Sequence, residues 1–166
     1  MSKRTQILVD TDQVELGGVD VVVPQRVAAS PGGMVSTAHY CATEAGQQIL
    51  AAGGNAIDAA VASALALGVC EPAASGIGGQ TMMLIHTAKP RRTFALDGSS
   101  RAPNRASAEL LSEMKRRLRG HTATTVPSSL AAYDYALREY GTLPLKEVLQ
   151  PAIQFAERCY EVTALQ

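Results

Sequence analysis

The chain has 166 residues, 46% of them apolar and 4% aromatic, with no tryptophan. That is enough for one domain with a core of Ala, Val, Leu and Ile. Its 15 basic and 15 acidic residues cancel to a net charge of zero, which argues against partners held by bulk charge, such as nucleic acid or an anionic membrane surface. The three cysteines, Cys41, Cys70 and Cys159, stand far apart without a CxxC. That pattern predicts reduced, mostly buried thiols in a cytosolic protein.

Residues 1–32 read as an arm packed on a domain surface. Gln6-Ile-Leu-Val9 and Val19-Asp-Val-Val-Val23 are short strand candidates, with Gly17-Gly18 as a turn between them. Lys3 and Arg4 lack a following apolar stretch, because Asp10, Asp12 and Glu15 interrupt it. No signal peptide is expected, and a cytoplasmic location is favoured. The longest apolar run, residues 56–69, carries Asp58 and is too short to cross a bilayer.

Regular structure is expected from Gly33 onward. Residues 33–38 read as a short buried strand. Ala42, Ala45, Ile49 and Ala52 follow at helical spacing, and Gly53-Gly54 ends that helix. Asn55 is a good N-cap for a second helix, with Asp58 in its first turn. Ile57, Ala60, Val61, Ala64 and Leu65 leave this helix almost no polar face, which predicts burial. Glu71-Pro72 closes it. Ser75-Gly-Ile-Gly-Gly79 is a glycine loop that brings backbone close to another group. Residues 80–86 and 93–96 read as a hairpin turned by Lys89-Pro90 and ended by Asp97-Gly98.

Beyond Pro103, Ser107 is expected to cap a helix with Leu110, Leu111, Met114 and Leu118 on one face. Lys115, Arg116, Arg117 and Arg119 form its basic outer face, a solvated end that complements the helix dipole. Pro127-Ser128 opens a further helix with Leu130, Tyr133, Leu137 and Tyr140 in a stripe, ended by Gly141. Pro144 and Pro151 start two short helices.

The residues offer few catalytic constellations. His39, His86 and His121 lie far apart, without HxH or HExxH spacing, so no metal site is expected. There is no GxSxG elbow, and the glycine loop lacks the Lys-Ser/Thr of a P-loop. Cys41 sits near a helix start, but a buried structural thiol is the better reading. Arg101, just after the Asp97-Gly-Ser-Ser100 strand end, is placed to grip a carboxylate through two parallel hydrogen bonds. On composition alone, a surface arginine paired with a local acid is the favoured reading.

Taken together, the motifs resemble the start of the large subunit of the gamma-glutamyltransferase (gamma-glutamyl transpeptidase) family. They are Gly33-Met-Val-Ser-Thr-Ala-His39, Glu44-Ala-Gly46, Gly53-Gly-Asn-Ala-Ile-Asp-Ala-Ala60, Glu71-Pro72, Ser75-Gly-Ile-Gly-Gly79, and Leu96-Asp-Gly98 with Ala102-Pro103. Val126-Pro127, Tyr140-Gly-Thr-Leu-Pro144, Leu149-Gln-Pro-Ala-Ile153 and Ala156-Glu157 continue the series in the family's order. The resemblance implies an α+β chain, the helix-rich N-terminal part of the αββα N-terminal nucleophile hydrolase fold. Residues 1–32 would be an arm and residues 33–166 the N-terminal portion of a large subunit.

In this family a precursor cuts itself, and the new N-terminal threonine of the small subunit attacks a gamma-glutamyl amide of the glutathione type. The acyl group then passes to water or an amine. This chain ends at Gln166, ahead of the family's processing site. The resemblance therefore places no catalytic residue here. Thr122, Thr124 and Thr125 are not substitutes for the nucleophile. The implied partner is the small subunit, or the C-terminal remainder, that carries the threonine. The implied substrate is a small gamma-glutamyl compound, with no cofactor, nucleic acid or membrane partner.

The family's carboxylate-gripping arginine stands directly after the strand, in Arg-Glu-Thr-Ala-Pro. Here the matching stretch is Ser99-Ser-Arg-Ala-Pro103. Ser99, Ser100 and Arg101 are thus the candidate substrate-binding residues. Serine at the arginine position leaves another amide hydrolase or acylase of the same superfamily as an alternative, and the end of the chain at Gln166 leaves a catalytically inert stand-alone fragment as another.

Overall fold

The computed structural model describes residues 29–162. The chain divides into two units, Met1–Met34 and Val35–Gln166. Both strand candidates of the arm, residues 6–9 and 19–23, lie outside the described residues. In the first unit the Gly32 N–H donates to Ser30 Oγ at 3.3 Å.

The second unit has the order α1 (Tyr40–Ala51), α2 (Ala56–Cys70), β1 (Thr81–Ala88), β2 (Arg91–Gly98), α3 (Met114–Leu118), α4 (Ser129–Tyr140), α5 (Leu145–Val148) and α6 (Gln150–Arg158). The expected strand over residues 33–38 does not form. Val35 and Thr37 are half-buried, while Ser36 and Ala38 are exposed. The Thr37 hydroxyl donates to the His39 carbonyl at 2.7 Å and meets Thr43 Oγ1 at 2.7 Å. The segment is therefore an extended lead-in fastened to the start of α1.

α1 buries Cys41, Ala42, Ala45, Gly46 and Ile49, one stripe at helical spacing. It stops at Ala52, after which Gly53 takes φ +91°, the left-handed geometry that favours glycine. Asn55 then caps α2. Its Oδ1 accepts from the N–H groups of Ile57 (2.8 Å) and Asp58 (3.1 Å), and Asp58 Oδ2 accepts from the Asn55 N–H (2.8 Å). This reciprocal box satisfies donors that a helix start would otherwise leave unpaired. α2 and α1 pack closely because Gly46 has no side chain; a Cβ there would collide with Ser63 Oγ and with Val35.

The core centres on α1 and α2, with Leu137 from α4, Val148 from α5 and Ala152 from α6 closing around them. At its edge Asp58 is fully buried. Beyond its capping bond it accepts from the Thr142 N–H (3.1 Å), the Thr142 hydroxyl (2.6 Å) and the Leu143 N–H (3.4 Å). Asn55 Nδ2 donates to the Tyr140 carbonyl at 2.6 Å. The N-terminus of α2 is thereby tied to the turn between α4 and α5.

β1 and β2 form an antiparallel hairpin, in register from Thr81↔Gly98 to Ala88↔Arg91. Both strands run longer than the expected 80–86 and 93–96. Burial alternates along β1. Ile85 is buried, whereas Met82 and Leu84 on the opposite face are 72% and 80% exposed. Phe94 packs against Tyr140 with ring centroids 4.6 Å apart and the ring planes tilted by 40°, so β2 leans on α4.

Two expected elements need correction. Residues 107–118 do not form one helix. The Leu110 N–H donates to Ser107 Oγ at 3.1 Å, but the segment then turns, and only Met114–Leu118 is helical. Met114 and Leu118 are 62% and 68% exposed. An amphipathic stripe without a packing partner does not sustain a helix this short. In α4 the inner face is Ser129, Ala132, Ala136 and Leu137, and Leu130 of the expected stripe faces outward.

Candidate functional site

The glycine loop follows α2. The N–H groups of Ala74 and Ser75 donate to the Glu71 carbonyl at 3.1 and 2.9 Å, forming a tight turn. Gly76 crosses Gly68 closely, since a Cβ on Gly68 would lie 3.5 Å from Gly76 Cα. At the far end the Gly79 carbonyl accepts from the N–H groups of Ser128 (3.1 Å) and Ser129 (3.4 Å). Ser128 Oγ, instead of capping its own helix, donates to the Gly98 carbonyl at 2.5 Å. The start of α4 is therefore held by the glycine loop on one side and the end of β2 on the other.

That junction positions the three candidate binding residues, which leave β2 in one turn. Ser99 is turned back on Asp97: its N–H and hydroxyl donate to Asp97 Oδ1 at 2.9 and 2.5 Å. The hydroxyl bond first, and the backbone bond second, hold the Asp97 carboxyl below the usual carboxylate range. Ser100 reaches Gln80 Oε1 through its N–H (3.3 Å) and its hydroxyl (3.4 Å). Arg101 pairs through its backbone with Val126: its N–H donates at 3.3 Å and its carbonyl accepts at 2.8 Å. The Arg101 side chain is exposed and has no ion-pair partner among the described residues. The local-acid pairing considered from sequence is thus not formed there, and Asp97 is engaged by Ser99.

A cavity of about 340 Å³ opens just beyond, lined by Ala102, Pro103, Leu111, Arg117 and His121 among others. None of Ser99, Ser100 and Arg101 lines it. Sequence reasoning missed Gln80 and Val126, which fix the backbone of this turn from distant positions. The Asp97-x-Ser99 spacing did carry a readable signal, an Asp accepting from the residue two places on.

A second grouping was hidden by sequence distance. His39, Cys41 and Cys70 each offer a ligand atom, and these atoms lie within 4.8 Å of one another. All three residues are buried, Cys70 completely. The sequence spacing, from which no metal site is expected, hid this grouping, which forms because the first turn of α1 packs beside the last turn of α2. His39 Nδ1 accepts from the Cys41 N–H at 3.2 Å, so His39 is the cap of α1. Its ring stacks on Tyr40 (centroids 4.7 Å apart) and meets the edge of Tyr160 (5.6 Å). Burial pushes the Cys70 thiol up to about 12, with the Cys41 thiol adding to the effect. The structural reading of Cys41 and Cys70 as buried thiols agrees with their environment, whereas Cys159 is exposed. Among the described residues no helix is long and apolar enough to cross a membrane.

The chain superposes on the crystal structure of Helicobacter pylori gamma-glutamyltranspeptidase with a TM-score of 0.78 at 36% identity, covering 84% of this chain and 42% of that one. It is 44% identical over 156 residues to the Acylase ACY 1 proenzyme of Pseudomonas sp. (strain SE83), covering 87% of this chain and 28% of the acylase. It is 40% identical over 145 residues to the Glutathione hydrolase proenzyme of Escherichia coli (strain K12), covering 84% of this chain and 25% of that proenzyme. A sequence model of the Gamma-glutamyltranspeptidase family matches residues 42–166. The chain belongs to that family, and it spans about a quarter of the length of these curated relatives.

Proposed function

We propose that this chain supplies the N-terminal part of the large subunit of a gamma-glutamyltransferase-like enzyme. Residues 1–32 form its arm, and residues 33–166 support one wall of the substrate pocket. The enzyme cleaves gamma-glutamyl amides of the glutathione type. The threonine that accepts the acyl group, and the donors that stabilise the oxyanion, come from polypeptide outside this chain. Water or an amine then takes the acyl group. The observation that carries this reading is the family match over residues 42–166.

Within the pocket, Arg101 grips the substrate carboxylate. Its guanidinium has no acidic partner among the described residues, and its backbone is pinned to Val126. Ser99 and Ser100 border the same turn and limit how a substrate enters it. A second reading is favoured by Ser99 at the arginine position and by the similarity to Acylase ACY 1 proenzyme. It is an acylase whose substrate lacks that carboxylate.

One assay on the complete, processed enzyme separates the two. Arg101→Ala is expected to raise KM for a gamma-glutamyl anilide about tenfold to a hundredfold, the range for losing a charged hydrogen bond, with a smaller change in kcat. An unchanged KM removes Arg101 from the site. Absence of gamma-glutamyl turnover, with hydrolysis of an aliphatic acyl amide unaffected by Arg101→Ala, establishes the acylase reading instead.

A further inference from the structure

We propose that His39, Cys41 and Cys70 form a buried binding site for a thiophilic closed-shell cation, Zn²⁺ or Cu(I). Three soft donors converge here from two separate elements, the start of α1 and the end of α2. Their ligand atoms lie within 4.8 Å of one another. Metal bonds of about 2.3 Å to sulfur and 2.0–2.1 Å to nitrogen set ligand atoms roughly 3.5–4 Å apart. Closing the cluster on an ion therefore asks for movements of about an ångström or less.

The second observation is an unmet polar atom. His39 Nδ1 accepts from the Cys41 N–H, so the compatible tautomer carries its proton on Nε2. That buried nitrogen has no hydrogen-bond partner among the described residues. An orphaned buried nitrogen costs on the order of 1–3 kcal/mol; an ion bound at Nε2 removes that cost, with the ring proton carried on Nδ1 and the capping bond from the Cys41 N–H given up in exchange.

The donor set selects the ion. Two sulfurs and an imidazole suit Zn²⁺ or Cu(I) over hard, oxygen-seeking cations such as Mg²⁺ or Ca²⁺. No further His, Cys, Asp or Glu joins the three among the described residues. A three-donor shell suits Cu(I), whereas structural Zn²⁺ takes a fourth ligand. On the other side, two thiolates cancel the charge of Zn²⁺, which burial favours. In either case each ligating thiol loses its proton to solvent, the ring keeps one proton, and no electron moves.

The site would staple the two central helices at the end opposite the Asn55–Asp58 box. That role does not depend on the transferase reading, so it is tested without turnover. The reduced, metal-free chain is titrated with Zn²⁺ alone and, separately, with Cu(I) delivered from a chelator of known affinity. Native mass spectrometry reads stoichiometry, chelator competition reads affinity, and circular dichroism checks folding.

The expected result is one equivalent of one of the two ions per chain. Affinity should fall by more than about tenfold in each of Cys41→Ala, Cys70→Ala and His39→Gln, and be unchanged in Cys159→Ala. A variant that fails to fold is replaced by alkylation of the wild type, where the bound ion must shield Cys41 and Cys70 but leave Cys159 reactive. No bound equivalent on the folded wild type overturns the proposal. So does binding that survives loss of Cys41 and Cys70, or a native mass showing that these two thiols already form a disulfide in the chain as purified.

Discussion

Ser99 donates twice to one oxygen of Asp97, and this small clasp decides what the turn after β2 presents to solvent. It fixes the Ser99 hydroxyl as a donor to Asp97, leaving only its lone pairs for a ligand, and it holds the Asp97 carboxyl below the usual range. Ser99→Ala should therefore raise the Asp97 pKa, because the hydroxyl bond is the larger of the two causes. A depressed carboxyl contributes stability that is present above its unfolded-state pKa and is lost as pH falls through the folded-state value. The stability gap between wild type and variant should consequently be widest near neutral pH and close in acid. Carboxyl NMR titration of both proteins, with urea midpoints at neutral pH and near pH 3, measures the two effects. Superimposable titration curves would remove the clasp from the account.

Two glycines that look alike in the sequence do different work in the helices they follow. Gly53 has φ +91° but open space where a Cβ would go. Gly141 has an ordinary φ of −75°, yet a Cβ there would stand 2.6 Å from both Asp58 Oδ1 and the Leu137 carbonyl. Gly53→Ala should cost about 1 kcal/mol, from backbone strain. Gly141→Ala should cost about 2–3 kcal/mol, from forced displacement of packed groups. Urea denaturation gives the ranking, and the reverse order would contradict the packing described for the α4–α5 turn. Both residues were readable as helix stops, because chain reversal leaves local signals. The reason Gly141 tolerates no side chain was not, because Asp58 arrives from a distant part of the sequence. The same distinction explains the other outcomes. α1, α2 and the hairpin were legible from the helical spacing of Ala42, Ala45 and Ile49, from Gly53-Gly-Asn55 and from Lys89-Pro90. The helix expected from Ser107 failed because periodicity cannot report whether a facing surface exists. At the candidate site the Ser99–Arg101 turn could be located, whereas Gln80 and Val126, which shape it, could not. The His39–Cys41–Cys70 grouping is purely a product of helix packing.

Across the whole unit, one buried carboxyl group links the start of α2 to the turn between α4 and α5. Asp58 takes bonds from Asn55 on its own helix and from Thr142 and Leu143 beyond α4. Asp58→Asn keeps the size but sets an amide N–H where an acceptor stood, facing donors that have no other partner in the described contacts. The expected loss is about 2–4 kcal/mol, read as a lower thermal midpoint with far-UV dichroism of the folded protein unchanged. A midpoint equal to that of the wild type would show that the tie contributes nothing.

That tie also orders events during synthesis. Thr142 follows Asp58 by 84 residues, an interval on the order of ten seconds at about 5–20 residues per second. Throughout it, nascent α2 can form its Asn55 box, but the remaining lone pairs of Asp58 have only water. The end of α2 that carries Asp58 thus stays wet until the α4–α5 turn emerges from the ribosome. Completion of that turn dries the start of α2, and α5 and α6, which follow it, then close the core with Val148 and Ala152.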